Sequence, residues 1–114
     1  ENKEASDCGE FNIEENNIEN ATGINGLSEK LLDYIEKEKV IIFDPPRSGL
    51  HPKIIKTVLK TLPKKIIYLS CNIETQARDI EAFKDFYTPI FAKLYNFFPR
   101  TPHVESLIVL ERKS

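Results

Sequence analysis

The sequence has little of what several common scaffolds and sites require. Two cysteines, Cys8 and Cys71, in 114 residues are too few for a disulfide framework. The four glycines never fall in G-x-G-x-x-G order, so the chain holds no glycine-rich phosphate loop. Its two histidines, His51 and His103, are scattered relative to the cysteines without metal-ligand spacing, and no metal is expected. No apolar run approaches the ~20 residues of a membrane-spanning helix. The first residues, Glu1 to Ser6, are acidic and polar and do not read as a secretory signal. Nothing points to secretion or a membrane, and the expected compartment is the reducing cytoplasm. There is neither an internal repeat nor a linker.

What is there is ordinary globular material: 40% hydrophobic and 30% charged residues. A chain of this length buries roughly two-thirds of its unfolded surface, enough for one core. Charge is uneven. Residues 1–39 hold eleven acids and four bases, a net of -7; residues 40–114 hold seven and twelve, a net of +5, in agreement with the total of -2. The basic part could face a phosphate-bearing partner, although charge alone favours the plainer account, lysines on solvated helix faces.

The pattern predicts a polar helix over residues 5–16, ended by Asn16-Asn17, and a short strand over 21–25. Ser28 is placed to cap a helix over 28–37 with Leu31, Leu32 and Ile35 on one face. Val40-Ile41-Ile42-Phe43, stopped by Asp44-Pro45-Pro46, has the look of a strand buried on both faces. Pro52 suits the first turn of a helix whose stripe is Ile54, Ile55, Val58, Leu59 and Leu62, ended by Pro63. Ile66-Ile67-Tyr68-Leu69 is a second buried strand. After it comes a helix with Ile73, Ala77, Ile80 and Phe83 on one side. Residues 91–98 and 104–110 are two extended segments with no helix between them, hence an antiparallel hairpin. Alternating strands and helices imply an α/β fold: a parallel sheet covered by helices on both faces, closed by that hairpin.

In open α/β sheets, ligands bind beyond the carboxyl ends of the strands. Two strand ends here are chemically unusual: Asp44-Pro45-Pro46-Arg47-Ser48-Gly49-Leu50 and Ser70-Cys71-Asn72. If their strands are neighbours, Asp44 and Cys71 open onto one crevice, and residues 99–105 can bring His103 and Glu105 to its rim. Each group also has a plainer use. Asp44 can cap a turn, Cys71 can be an inert buried thiol, Arg47 and Glu105 can be solvated charges, and His103 an ordinary loop residue. Cys8, on a polar helix, is given no role.

Taken together, these segments resemble a known family. Asp44-Pro45-Pro46-Arg47-Ser48-Gly49-Leu50, then Tyr68-Leu69-Ser70-Cys71-Asn72 with Thr75, Ala77, Arg78 and Asp79, then Phe98-Pro99-Arg100-Thr101-Pro102-His103-Val104-Glu105 match in order and spacing three signatures of the S-adenosylmethionine-dependent RNA uracil-5-methyltransferases. The match spans residues 40–111. Ala5, Asn12, Asn16, Ile18 and Asn20 extend it backward less securely. The resemblance implies an incomplete Rossmann-like, class I methyltransferase fold, S-adenosyl-L-methionine as cofactor and tRNA or rRNA as substrate. By position, Cys71 resembles the family's nucleophile, Glu105 its general base and Asp44 its strand-end acid beside the cofactor. Arg47, Asn72 and His103 fall among residues that shape the site or meet the RNA. Such chemistry needs a thiolate, so surroundings that favour the anion are expected at Cys71, together with a flipped or unstacked target base.

The chain departs from the family's pattern at Leu27, where the family tends to have Asp, at Ile73, where it usually has Pro, and at Asn96, where it has Asp. The first cofactor loop, the ribose-binding acid and the N-terminal RNA-binding part are not found. Residues 1–114 are therefore expected to be the C-terminal portion of a methyltransferase catalytic domain, inactive and a poor binder of S-adenosylmethionine in isolation. Three alternatives remain in view. RNA cytosine-5 methylation normally uses a second cysteine where Arg47 stands. Amino-methylation of purines favours an aromatic residue there and needs no nucleophile. A non-catalytic α/β interaction module would have no use for Cys71 and Glu105.

Overall fold

The computed structural model describes residues 3–114, which form two compact units, 3–31 and 32–114. The first holds α1 (Lys3–Glu15), which has no buried residue. This is the expected polar helix. Residues 21–25, expected as a strand, are irregular: their unit contains no other strand to supply hydrogen-bond partners. The expected helix over 28–37 is instead two single 3-10 turns, Ser28–Lys30 and Leu32–Tyr34. Ser28 does not cap; Leu27 occupies the N-cap position and offers no side-chain acceptor, and Leu31 leaves helical geometry at φ -110°, ψ 31°.

The second unit carries a four-stranded sheet: β1 (Val40–Phe43), β2 (Lys65–Ser70), β3 (Tyr87–Tyr95) and β4 (Glu105–Arg112), in the spatial order β1-β2-β4-β3. α2 (Pro52–Thr61) joins β1 to β2, and α3 (Ile73–Phe83) joins β2 to β3. The α/β class and the closing antiparallel hairpin are as expected. Parallel pairing, however, is confined to β1 and β2, because β4 inserts antiparallel between β2 and β3. β3 starts at Tyr87, earlier than expected, because β4 extends to Arg112 and Arg112 pairs with Tyr87. Pro89 is tolerated in β3 because that strand lies at the edge of the sheet, and the register slips between Pro89 and Phe91.

Both crossovers run the same way along the sheet, so the right-handed rule sets α2 and α3 on one face. Burial agrees. Ile66, Tyr68 and Leu110 join Ile54 and Val58 of α2 and Phe83 of α3 in the core. The alternate residues face away from these helices, and this unit supplies no helix to the other side. The expectation that β1 is buried on both sides does not hold. β1 has one sheet neighbour, and Val40 and Ile42 are 51% and 70% exposed. The far end of the sheet is tied down by Tyr87, whose hydroxyl donates to Pro63 O at 2.6 Å, and by Arg112, which donates to Leu62 O at 2.8 Å. Burial pushes the Tyr87 phenol up to about 12, with the Arg112 charge pulling the other way.

Candidate active site

The site lies where the carboxyl ends of β1 and β2 emerge together. The strands are parallel and paired Phe43 to Tyr68, so Asp44 and Cys71 leave the sheet at the same edge. β4 starts at that edge too. β2 and β4 pair up to Ser70 and Ser106, and carrying the register on by one residue sets Cys71 across from Glu105. Ser70 and Ser106 are buried against the helices, and side chains alternate along strands, so Glu105 stands on the opposite face. Cys71 is a free, half-buried thiol and Glu105 is half-buried; Asp44, Arg47 and His103 are exposed.

The loop that carries Asp44 and Arg47 is strapped to the start of α3. Asn72 is the N-cap: its Oδ1 accepts from the Glu74 and Thr75 amides at 3.0 and 3.3 Å, satisfying donors that a helix start leaves open. Its Nδ2 donates to Arg47 O at 3.1 Å, and Thr75 Oγ1 donates to the same carbonyl at 2.9 Å. Arg78 Nη2 donates to Ser48 O at 2.8 Å. Gly49 closes the turn at φ +84°, where an added Cβ would lie 2.6 Å from both Arg78 Nη2 and Asp79 Oδ2. Only glycine meets both conditions. On the other rim, Arg47 Nη2 donates to His103 Nδ1 at 3.2 Å, which brings residues 99–105 to the loop. The structure thus gathers Asp44, Arg47, Cys71, Asn72, His103 and Glu105 at one sheet edge.

Two residues that organise this edge were not singled out for such a role in the sequence. Asp79 is fully buried and accepts from Tyr68 Oη at 2.7 Å, Leu50 N at 2.8 Å and Arg78 Nε at 3.1 Å. Burial first, then the hydrogen bond and charge of Asp79, raise the Tyr68 phenol far above its usual range. Gln76, also buried, donates from Nε2 to Tyr68 O at 3.1 Å and Ser106 O at 3.0 Å, bridging the two strands just behind Cys71 and Glu105. The buried side of α3 is therefore Gln76, Asp79 and Phe83, not the expected stripe through Ile73 and Ala77. Ile73 is 47% exposed at the first helical position, where proline and isoleucine are both acceptable, so that departure costs the fold little. The signal for Asp79 was its i+3 spacing from Gln76 and i+4 to Phe83, a polar pair on the inward side. Among the described residues no cluster of three or more His, Cys, Asp or Glu could hold a metal, and no helix is long and apolar enough to cross a membrane.

Comparison with known proteins agrees with this fold. The sequence profile of the tRNA (uracil-5-)-methyltransferase family matches residues 23–113. An uncharacterized RNA methyltransferase of Mycoplasma mobile is 43% identical over 106 residues, covering 90% of this chain and 28% of that protein. Another, of Fusobacterium nucleatum, is 41% identical over 116 residues, covering 97% and 25%. The chain thus spans about a quarter of the length of these relatives. Among solved structures, the Pyrococcus abyssi tRNA (uracil-54, C5)-methyltransferase in complex with S-adenosyl-L-homocysteine superposes with a TM-score of 0.79 at 33% identity, over 96% of this chain and 26% of that one. A Streptococcus thermophilus rRNA methylase shares the fold, with a TM-score of 0.68 at 18% identity over 99% and 70%. With the profile spanning most of its length and the same signature loops gathered at one sheet edge, the chain belongs to the tRNA (uracil-5-)-methyltransferase family.

Proposed function

We propose that this chain is the C-terminal portion of a methyltransferase catalytic domain that methylates C5 of a uridine in tRNA or rRNA, with S-adenosyl-L-methionine as donor. The observation that supports this reading most is that Cys71 and Glu105 each adjoin the last β2–β4 pair, Ser70 with Ser106, at the edge shared with Asp44. A nucleophile and a base are then within one cross-strand step of each other.

Uracil C5 is too poor a nucleophile to take a methyl group unaided. The Cys71 thiolate adds to C6, forming an S–C6 bond and moving the ring electrons onto C5 and O4. An anion at Cys71 lies next to the positive end of α3, whose N-cap is Asn72. S-adenosylmethionine, when bound, supplies an electrophilic methyl group on a sulfonium. Asp44, an exposed carboxylate at a strand end, fits the donor groups of that cofactor. After C5 has taken the methyl group, Glu105 removes the C5 proton. The freed electron pair restores the C5=C6 bond, and the S–C6 bond breaks to return the thiolate. Arg47, fixed to His103, shapes the mouth of the crevice and offers charge to RNA. Cytosine-5 chemistry is the less suited reading, because Arg47 stands where that chemistry places a second cysteine.

The test is nucleoside mass spectrometry on uridine-containing RNA treated with the intact protein and S-adenosylmethionine. The reading expects 5-methyluridine, and none from Cys71→Ala. Product formation by a correctly folded Cys71→Ala would refute it.

A further inference from the structure

β3 carries a feature that the methyl-transfer chemistry does not use. Tyr95 pairs with Glu105 and Lys93 pairs with Leu107, so both side chains stand on the sheet face of Glu105. The Tyr95 ring is stacked on Phe97, with centroids 5.4 Å apart and planes within 10°. Lys93 Nζ lies over Tyr95, 5.1 Å from the ring centroid. Phe97 is 60% exposed, so much of its surface reaches water beside the stack. Residues 88–104 contain Lys93, Arg100 and His103 and no acid.

From this surface we infer that Lys93, Tyr95 and Phe97 form a stacking platform for an unpaired RNA nucleotide flanking the target uridine. Parallel rings with an open face suit a base, since every base has a π-face, and an acid-free stretch with two permanent cations suits its phosphate. Tyr95 pairs with Glu105 across adjacent strands, and Cys71 directly follows the neighbouring β2, so the platform adjoins the site. An apolar protein partner would bury the same phenylalanine, but would gain nothing from the ring alignment or the positive charge. That the nucleotide flanks a uridine rests on the proposed function; the stacking itself does not.

The experiment is a titration of the 114-residue chain against a fluorescein-labelled single-stranded RNA of about ten nucleotides with a central uridine, a length within the range of one stacking groove. Phe97→Leu keeps apolar bulk and removes the π-face, and its exposure makes misfolding a minor concern; circular dichroism checks it. Phe97→Leu is expected to raise Kd about 5- to 150-fold, while Phe97→Trp restores binding. Lys93→Gln is expected to lower the slope of log Kd against log salt by about 0.7. A duplex of the same sequence should bind more weakly and ignore Phe97→Leu. Equal affinity of wild type and Phe97→Leu, no measurable binding by the wild type, or equal losses on duplex would each overturn the platform. The chemistry is read separately, from 5-methyluridine formation by the intact protein with S-adenosylmethionine. Phe97-dependent binding without that product supports the platform and counts against the chemistry; product with Phe97-independent binding overturns the platform alone.

Discussion

Replacing Asp79 by Ala tests how the site is held together. The carboxylate is fully buried and accepts from the Tyr68 hydroxyl, the Leu50 amide and Arg78. Its removal strands two buried donors, Tyr68 Oη and Leu50 N, at ~1–3 kcal/mol each. The Arg78 pair adds little, because that guanidinium is largely in water. The expected loss is therefore about 2–6 kcal/mol, a large part of the ~5–15 kcal/mol that holds a domain folded. Asp79→Asn keeps the volume and one acceptor, so about 1–3 kcal/mol is expected. Tyr68→Phe removes one donor and should couple to Asp79→Asn with an interaction energy of about 0.5–3 kcal/mol. Urea unfolding followed by far-ultraviolet circular dichroism reads all three, with unchanged m-values as the check on two-state behaviour. A loss below ~0.5 kcal/mol for Asp79→Ala, the range of an ordinary surface change, would refute the argument.

Two further outcomes follow from the same geometry. Gly49→Ala places a methyl group 2.6 Å from Arg78 Nη2 and Asp79 Oδ2 at a positive φ, and is expected to cost at least ~1 kcal/mol and lower methyl transfer; a neutral result in both assays would contradict the loop geometry. Tyr87 keeps its proton in the folded state up to about 12, whereas the unfolded phenol loses it near 10, so its contribution is complete below about pH 10 and fades as pH rises. By pH 12 that loss is on the order of 2 kcal/mol, with Tyr68 adding to it, and Tyr87→Phe should flatten the alkaline arm of a stability–pH profile.

The elements most legible in the sequence were those whose signal is local and whose partners lie within the chain. β2 is a short β-branched run, and its pairing on both sides bears out the expectation of burial. α2 carries its own start and stop in Pro52 and Pro63. The loops after β1 and β2 were legible as a candidate site because their residue types are costly to place without a use. What failed depended on neighbours. An apolar run such as Val40–Phe43 does not say whether both faces find cover, and here one does not. Residues 21–25 had a weak strand pattern but no partner strand in their unit. In α3, apolar periodicity through Ile73 and Ala77 misled, because the inward positions hold Gln76 and Asp79, whose hydrogen bonds offset their burial. Sheet order was not legible, since the insertion of β4 beside β2 is a matter of long-range pairing.

The central claim, that Cys71 attacks and Glu105 releases, is tested most directly by Glu105→Gln. Addition and methylation can proceed, but removal of the C5 proton is slowed by about 10²–10⁴, so a covalent protein–RNA complex accumulates. Denaturing electrophoresis of the intact Glu105→Gln protein with uridine-containing RNA and S-adenosylmethionine, followed by mass spectrometry of the linked peptide, should find that complex joined through Cys71 and absent from the Cys71→Ala, Glu105→Gln double variant. Normal turnover by Glu105→Gln with no adduct would contradict the base assignment and turn attention to His103, two residues away.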